Sequence, residues 1–324
     1  MRTIVVYNPS AGSGHSEAIS AAVERELGGR GFEIELHPTQ GPGDATAIAR
    51  RFANTADIIV AVGGDGTINE VVNGMASMAG MAGTPTGPDG RGGEAQRDGA
   101  RSGDSPRGDA RCRATLGIVP AGTVNVLALE LGLPFRVERA CEVIAAGKTR
   151  PLDLGNADGR RFTLMMGAGV DALTVRNVDL RAKKYFKELA FVGTGLKYGL
   201  AVPPPAFLVR ADGRDYEATF FVAGNSRYYA AHIAITPDAD NADGLLDLVI
   251  FTGTTRSSLS VFWLEVLSGL HVRNAHVTCV RTQQAELLPL SDGQTIWFQT
   301  DGELAGRLPA TVKIDAHALE VLVP

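Results

Sequence analysis

The sequence predicts two joined domains, an α/β domain with a parallel sheet followed by an antiparallel β-sandwich. The chain has 324 residues, a length that corresponds to about two domains of ordinary size. Strand-like and helix-like segments alternate over residues 1–150, an order that builds a parallel sheet covered by helices. Short β-rich runs separated by turn residues dominate residues 151–324, as in sandwiches. We allow for the last run, 319–323, packing back on the first domain.

The elements of the first half follow from hydrophobic periodicity. Ile19, Val23 and Leu27 share one helical face, and the glycine after them is a common helix terminator. The same reasoning predicts helices at 16–26 and 44–52 and strands at 3–7, 32–36, 57–62 and 116–119.

Residues 80–113 interrupt this order. Between Gly83 and Ala110 there is no Val, Ile, Leu, Met, Phe, Tyr or Trp. Such a segment cannot bury enough apolar surface to offset the entropy of ordering it. We predict a disordered insertion in the loop before the fourth strand, with a docking arm as the functional alternative.

The second half contains one clear helical pattern, at 256–270, among many strand-like runs. Strands are predicted at 162–166, 207–211, 217–223, 233–236, 246–251, 277–281, 296–299 and 319–323.

Bulk properties exclude several functional classes. A net charge of −5 argues against a protein that binds nucleic acid through bulk charge. The three cysteines lie far apart without metal-binding spacing, which predicts free thiols in a reducing cytoplasm. No apolar run reaches the roughly 18 residues of a membrane span, so we expect membrane contact to be peripheral, at the inner face.

The strongest motif is at residues 63–69, which read GGDGTIN after the apolar run 58–62. The glycines let the backbone approach a ligand closely, and a helix N-terminus attracts phosphate. Asp65 is unusual in a phosphate cradle because its carboxylate repels an anion. Its presence indicates a metal or a reacting hydroxyl at the same place.

Three further polar turns follow the ends of predicted strands, at 8–14, 39–44 and 120–125. Ligands of doubly wound sheets lie beyond the carboxyl ends of the strands, so we expect these turns to converge with residues 63–69. Neither a GxxxxGK[ST] loop nor a GxGxxG motif occurs, which excludes the common nucleotide-binding signatures.

Together these motifs resemble the diacylglycerol kinase catalytic superfamily, and in particular its bacterial soluble lipid kinases, which are related to sphingosine and ceramide kinases. The resemblance rests on residues 63–74, on PAGT at 120–123 and, in the second half, on GAGVDA at 167–172, DGLLD at 243–247 and DGE at 301–303. It covers nearly the whole chain apart from the insertion.

The resemblance implies ATP and Mg²⁺ as cofactors and a lipid as the acceptor. Asp65 would organise the metal and the phosphates, and Glu303, supported by Asp301, would act as the base on the acceptor hydroxyl. A plain hairpin turn is the alternative interpretation of the DG pair. The residues implied for nucleotide binding are Asn8, Ser10, Ala11, Gly12, Ser13, Gly14, Thr39, Gly64, Asp65, Gly66, Thr67, Ile68, Asn69, Glu70 and Thr123.

The resemblance also implies a structural magnesium site at Asp240, Asp243 and the backbone of Leu245, with a metal-free polar turn as the alternative. One position departs from the family. Val126 stands where an aspartate usually follows the asparagine of the PAGT turn, so one carboxylate of the expected metal and water network is missing.

Residues 176–197 combine five basic side chains with aromatic ones, which fits either an anionic membrane surface or a solvated helix. For the oligomeric state, a homodimer is one of the options. The predicted function is an ATP-dependent lipid kinase acting on diacylglycerol or a sphingoid-type lipid. The alternatives are a kinase of a soluble substrate, similar to NAD kinases, and a catalytically idle lipid- or nucleotide-binding protein.

Overall fold

The computed structural model describes residues 1–9, 16–77, 112–177, 205–230 and 232–324. Most of the predicted insertion at 80–113, the turn residues Ser10 to Gly14 and most of the basic segment at 176–197 lie outside these described residues.

The N-terminal half is a parallel sheet with helices on its faces. Its strands run in the order β2-β1-β3-β4, with every neighbouring pair parallel, as the alternation of elements predicts. They are β1 (Arg2–Tyr7), β2 (Glu33–Pro38), β3 (Ile58–Gly63) and β4 (Thr115–Pro120). The helices are α1 (Ser16–Gly28), α2 (Asp44–Phe52), α3 (Asp65–Ala76), α4 (Val126–Glu130) and α5 (Val137–Ala146).

The C-terminal half is antiparallel and forms a sandwich. One of its layers is a six-stranded sheet in the order β14-β13-β10-β7-β16-β17. The strands of this half are β5 (Thr149–Ala157), β6 (Arg160–Phe162), β7 (Met165–Gly169), β8 (Phe207–Ala211), β9 (Arg214–Ala218), β10 (Phe220–Gly224), β11 (Tyr228–Ala230), β12 (Ile233–Ala234), β13 (Leu246–Phe251), β14 (Val277–Thr282), β15 (Gln284–Pro289), β16 (Trp297–Thr300), β17 (Glu303–Arg307) and β18 (Ala310–Leu322).

Within the described residues of this half there are two α-helices, α6 (Val170–Asn177) and α7 (Arg256–Ser268), and a short 3₁₀ turn, His271–Arg273, follows α7. The buried face of α7 carries Phe262 and Trp263, which pack against Phe220 and Phe251 of the six-stranded sheet. No helix within the described residues is long and apolar enough to span a bilayer.

The last strand joins the two halves. β18 pairs in parallel with β4 through Val321 and Leu116, and in antiparallel fashion with β5 and β15. The N-terminal strands and one layer of the sandwich therefore form a single ten-stranded sheet. Since one sheet runs through both halves, the relative position of the two domains is set by backbone hydrogen bonds.

Two predicted boundaries in the second half need correction, and three elements of the chain were not predicted. The predicted strand 162–166 is shifted, because β7 begins only at Met165. The backbone N–H groups of Thr163 and Leu164 donate to a carboxylate instead of a neighbouring strand. The predicted strand 319–323 is the end of the 13-residue β18, and β5, α4 and α5 have no counterpart among the predicted elements.

Candidate functional site

The polar turns at the strand ends meet at two adjoining clefts. One cleft, of about 360 Å³, lies between α3 and the hairpin of β16 and β17. The other, of about 470 Å³, lies between the turn after β2 and the start of α3. Both clefts are lined by Pro42, Gly66 and Glu70. The first is lined in addition by Gly43, Thr46, Asp65, Asn69, Asn73, Arg160, Thr300, Asp301 and Glu303, and the second by Asn8, Thr39, Gln40, Gly41, Ala45, Gly64 and Thr67.

The carbonyl of Gly63 ties two of the predicted turns together. It accepts hydrogen bonds from the backbone N–H groups of Ala121 (2.9 Å) and Gly122 (3.2 Å) and from Asn125 Nδ2 (3.1 Å). A side chain on Gly122 would lie 2.5 Å from the Gly64 Cα atom, so this contact requires glycine. Asn125 is in the left-handed region, with φ of 53°, which asparagine tolerates.

Asp65 lies in the first turn of α3, next to the hydrogen-bonded contact between these two turns, and lines the first cleft. Its Oδ1 accepts the backbone N–H of Val126 at 2.7 Å. Burial raises the pKa of Asp65, the N–H groups of residues 125–127 oppose this, and the nearby Asp301 charge raises the pKa further. The cleft therefore holds a carboxylate whose ionised form needs a positive partner.

Val126 meets Asp65 through its backbone, and its side chain packs in the hydrophobic core with 6% exposure. The departure from the family pattern thus leaves the Asp65 contact intact. It places a methyl-bearing side chain, which cannot ligate a metal, where the family carries a carboxylate.

The Asp301 carboxylate collects five donors from both halves of the protein. Its Oδ1 accepts the backbone N–H groups of Leu164 (2.9 Å) and Met165 (3.0 Å). Its Oδ2 accepts the N–H of Thr163 (2.8 Å), the Thr163 hydroxyl (3.0 Å) and Asn69 Nδ2 of α3 (2.6 Å). Burial raises the pKa of Asp301, and the donors of Thr163, Met165 and Leu164 oppose that rise. Because five donors occupy its two oxygens, the Asp301 carboxylate fixes the geometry of the site and has no free lone pair to take the proton of an acceptor hydroxyl.

The turn between β16 and β17 is also an ordinary hairpin turn. Asp301 and Gly302 have φ of 48° and 82°, which is the geometry that favours Asp-Gly in two-residue turns. The side-chain oxygen of Gln299 accepts the Gly302 N–H at 2.7 Å. The hairpin that carries Glu303 is therefore fixed by side chains on both sides of the turn.

Gln299 extends this network to a buried acid. Its Nε2 donates to Asp171 Oδ2 at 2.8 Å, and the Tyr229 hydroxyl donates to Asp171 Oδ1. Burial raises the pKa of Asp171 to about 6, although both donors oppose the shift. Burial and the Asp171 charge raise the pKa of Tyr229 as well, so the tyrosine remains a donor. These hydrogen bonds connect Asp171 of α6 to the turn between β16 and β17.

Glu303, the predicted base, is exposed at the mouth of the cleft that also holds Asp65. Its side chain is 66% exposed, and its Oε2 lies 2.6 Å from a guanidinium nitrogen of Arg160. Hydrogen bonding to the acceptor hydroxyl is therefore open to Glu303 without loss of a buried contact.

The predicted nucleotide residues divide into groups. Most described members line one of the clefts, and these are Asn8, Thr39, Gly64, Asp65, Gly66, Thr67, Asn69 and Glu70. Glu70 also accepts the N–H of Ala45 at 3.2 Å, so it caps α2. Ile68 differs from the prediction, because its side chain is buried in the core and its N–H donates to Gly64 at 3.1 Å. Thr123 is exposed on the neighbouring turn and lines neither cleft.

The loop of the predicted magnesium site lies in the C-terminal half. Asp240 accepts the N–H of Ala242 at 3.1 Å, and Asp243 accepts the N–H of Leu245 at 3.0 Å. The other oxygen of Asp243 pairs with Arg281. Within the described residues no group of three or more His, Cys, Asp or Glu side chains is arranged to hold a metal ion. Magnesium at this loop stays a prediction, since binding requires Asp243 to exchange these partners.

The roles of several residues of the site were not predicted from the sequence, although Asn73 and Asp171 lie within the motifs at 63–74 and 167–172. Asn73 accepts the N–H of Arg161 at 3.2 Å and so fixes β6 on α3. Thr163, Gln299, Asp171 and Arg160 act through contacts between segments that are distant in sequence. Asn125 closes the polar turn predicted at 120–125.

The comparisons with known proteins agree with this geometry. Residues 2–157 match the family model "Diacylglycerol kinase catalytic domain", and residues 165–323 match "YegS C-terminal NAD kinase beta sandwich-like domain". The diacylglycerol kinase of Bacillus subtilis (strain 168) is 26% identical over 328 residues, which cover 100% of this chain and 96% of that protein. The diacylglycerol kinase of Staphylococcus haemolyticus (strain JCSC1435) is 27% identical and covers 99% of this chain and 87% of that protein.

A crystal structure of a diacylglycerol kinase from Bacillus anthracis str. Sterne has the same fold. It superposes with a TM-score of 0.73 at 21% identity and covers 100% of this chain and 97% of that one.

An α/β domain with a GGDGT turn, joined to a β-sandwich that supplies a DGE hairpin, defines a kinase of the diacylglycerol kinase and NAD kinase type. The chain belongs to the diacylglycerol kinase family and is a lipid kinase, that is, a phosphotransferase.

We predict that Asp301→Asn destabilises the protein and lowers its activity. An amide has one acceptor oxygen, so at least two of the five donors around position 301 lose their acceptor. Each buried donor left unpaired costs about 1–3 kcal/mol. Chemical denaturation measures this loss. Asp212→Asn is the matched control, because Asp212 occupies the same place in an exposed Asp-Gly turn with φ of 50°. Equal stability of the two variants would contradict the role of Asp301.

We predict that Asp171 makes the protein less stable as the pH rises from about 4 to 6. Its pKa of about 6 in the folded state lies above the ordinary value of 3.8. The unfolded chain therefore loses this proton first, and rising pH favours unfolding. Between pH 4 and neutral pH the cost is about 2 kcal/mol.

The measurement is the difference in unfolding free energy between the wild type and Asp171→Asn at pH 4, 5, 6 and 7. A constant offset from the changed hydrogen bonds cancels in this comparison. We expect the difference to shift against the wild type with increasing pH, and a difference independent of pH refutes the assignment.

Proposed function

We propose that the protein transfers the γ-phosphoryl group of ATP to a hydroxyl of a membrane lipid, with diacylglycerol as the first candidate and a sphingoid-type lipid as the second. The observation that carries the proposal is the cleft in which Asp65, at the start of α3, faces the hairpin of Glu303. Diacylglycerol ranks first because the relatives that match over their full length bear that name.

The nucleotide would occupy the cleft between the turn after β2 and α3. Gly64, Gly66 and Thr67 line it at the helix N-terminus, where the backbone N–H groups and the helix dipole favour phosphate. Asn8 and Thr39 line the opposite side. Ser10 to Gly14 follow β1 in the sequence, and we keep their predicted contact with the nucleotide as part of this proposal.

The acceptor lipid would present its hydroxyl in the cleft of Glu303. The hydroxyl is a poor nucleophile at neutral pH, and a positioned carboxylate can take its proton during the transfer. Asp301 and Gln299 hold the turn before Glu303 in place. In this mechanism the protein contributes orientation and a base, which is the usual division of labour in phosphoryl transfer.

Magnesium would accompany the nucleotide. The Asp65 carboxylate is an oxygen donor that lines the cleft, which suits a hard cation. The ion neutralises phosphate charge when bound. The second predicted magnesium, at Asp240, Asp243 and Leu245, would stabilise the sandwich, and a melting temperature that rises with Mg²⁺ and falls with EDTA is the check.

A panel assay tests the proposed function. The purified chain is incubated with ATP, Mg²⁺ and diacylglycerol, ceramide or sphingosine in mixed micelles, and products are identified by mass spectrometry. NAD is included, because the C-terminal domain matches a model described as NAD kinase-like. Phosphorylated NAD without phosphorylated lipid overturns the lipid assignment. No product with any acceptor favours the idle binding protein, for which Val126 is the supporting feature.

We predict that Glu303→Gln retains nucleotide binding and loses turnover. The amide keeps the shape of the side chain but cannot take a proton, and the loss of a general base costs about 10²–10⁴ in rate. Calorimetry measures nucleotide binding, and lipid phosphorylation measures turnover.

The matched control for this variant is Glu286→Gln. Glu286 is also exposed and also pairs with an arginine, Arg210, at 3.3 Å, but it lines neither cleft. Unchanged turnover in Glu303→Gln rules out Glu303 as the base.

We also propose that the outward face of α7 rests on an anionic bilayer, which holds the acceptor lipid. This face carries Val261, Leu264 and Leu267, which are 48%, 59% and 48% exposed, and Leu270 continues it at 49%. Apart from Arg256 in the first turn, the other exposed positions of α7 are Ser257 and Ser268, and Glu265 is half-buried, whereas helices that face water normally carry several charges. Arg273 lies just beyond this apolar face and suits anionic headgroups.

We predict that Leu264→Ser weakens sedimentation of the protein with phosphatidylglycerol-containing vesicles several-fold and leaves its melting temperature unchanged. Leu290→Ser is the control, since Leu290 is 48% exposed in a loop between strands. Sedimentation velocity of the wild type provides a second readout. A dimer that Leu264→Ser dissociates would show that a second copy covers this face.

A further inference from the structure

The active clefts are rich in carboxylates and poor in cations. Asp65, Glu70, Asp301 and Glu303 line them, and Arg160 is the one arginine or lysine among the described lining residues. Transfer of a phosphoryl group beside these carboxylates creates repulsion between the reacting phosphate and the protein, which positive charge must offset. Arg160 is placed where this charge is needed.

Local structure holds Arg160 in that position. It begins β6, directly after the turn in which Asn156 Oδ1 accepts the Gly159 N–H at 2.8 Å. The next residue, Arg161, donates its backbone N–H to Asn73 of α3 and pairs through its guanidinium with Asp315 at 2.9 Å. The backbone of Arg160 is thus anchored to the helix that begins with Asp65.

The guanidinium of Arg160 is only partly engaged. One terminal nitrogen donates to Glu303 at 2.6 Å, and the other lies 3.4 Å from the Leu304 carbonyl. The side chain is 38% exposed and lines the cleft of Asp65. A guanidinium has five N–H donors in a planar fork, so it can bond a carboxylate and a phosphoryl oxygen at the same time.

We propose that Arg160 is a catalytic residue that binds the phosphoryl group during its transfer from ATP to the lipid hydroxyl. This inference rests on the proposed function. Arg161 cannot take the role, because its charge is committed to Asp315.

Every bond and proton of the proposed transfer step is accounted for. The acceptor oxygen forms a bond to the γ-phosphorus, and the bond between that phosphorus and the β,γ-bridging oxygen breaks. ADP leaves with the electron pair of the broken bond, and the hydroxyl proton passes to the Glu303 carboxylate. Arg160 stays protonated throughout. It donates hydrogen bonds to the equatorial oxygens of the phosphoryl group and keeps Glu303 directed at the hydroxyl.

The experiment compares Arg160→Met and Arg160→Lys with the wild type. Turnover of Arg160→Met should fall by about 10²–10³, the range for loss of one transition-state donor, with KM for ATP changed less than kcat. Arg160→Lys should recover part of the loss, since it restores the charge without the fork. Arg210→Met is the control, because Arg210 pairs with exposed carboxylates and lines neither cleft. Arg160→Met turnover within twofold of the wild type overturns the proposal.

A double variant separates a phosphoryl contact from mere restraint of Glu303. If Arg160 binds the phosphoryl group, Arg160→Met lowers the residual turnover of Glu303→Gln at least tenfold further. If Arg160 only holds Glu303, the double variant equals Glu303→Gln, and the proposal fails.

Calorimetry keeps this test independent of the lipid assignment. Even for a wild type that phosphorylates none of the lipids, Arg160→Met should weaken binding of a non-hydrolysable ATP analogue at least threefold and leave ADP binding unchanged. Equal effects on both nucleotides, or no binding of either nucleotide to the wild type, overturn the role of Arg160. An unchanged melting temperature shows that the variants are folded.

Discussion

The carboxylate of Asp301 determines how the nucleotide half and the acceptor half of the site meet. It receives Asn69 from α3 on one side and three consecutive backbone N–H groups, from Thr163 to Met165, on the other. Hydrogen bonds to a charged acceptor are the strong ones, and removal of the acceptor would leave several donors unpaired at once. Because Asp301 lies two residues before Glu303, the position of Glu303, the proposed base, relative to α3 follows from this one group.

The long C-terminal strand explains why such a contact can be maintained. β18 lies between β4 and the sandwich strands, so the two domains share a sheet and cannot rotate freely about a linker. The sequence predicted only the last four residues of this strand. Its pairing with β5 shifts register between Asp315 and Leu319, and His317 has φ of 50° there, so no regular alternation marks the element.

The strands of the first half and the GGDGT turn could be predicted from sequence because the signals are local. β1, β3 and β4 are mainly apolar runs while the edge strand β2 alternates polar and apolar residues, and glycine next to a helix start has few other uses. The DGE motif is different. Asp158, Asp212 and Asp301 each precede a glycine, and all three pairs have positive φ, so turn chemistry does not distinguish them. Only the segment at 163–165, which is far away in sequence, makes Asp301 special, and the family resemblance alone pointed to it.

The same reasoning explains why Arg160 and Gln299 were missed, and why the GAGVDA motif did not reveal the role of Asp171. Their environment comes from packing between separate segments, and an arginine in a turn or a glutamine in a strand has many ordinary uses. What sequence patterns do convey is the excess of acid in the motifs themselves, Asp65 and Asp301 above all. In the structure these two acids lie close enough to interact, since the Asp301 charge raises the pKa of Asp65. In the proposed function these two carboxylates would repel the phosphates that the N-terminus of α3 attracts, so we expect the binding of a nucleotide and of the cations that neutralise it to be coupled.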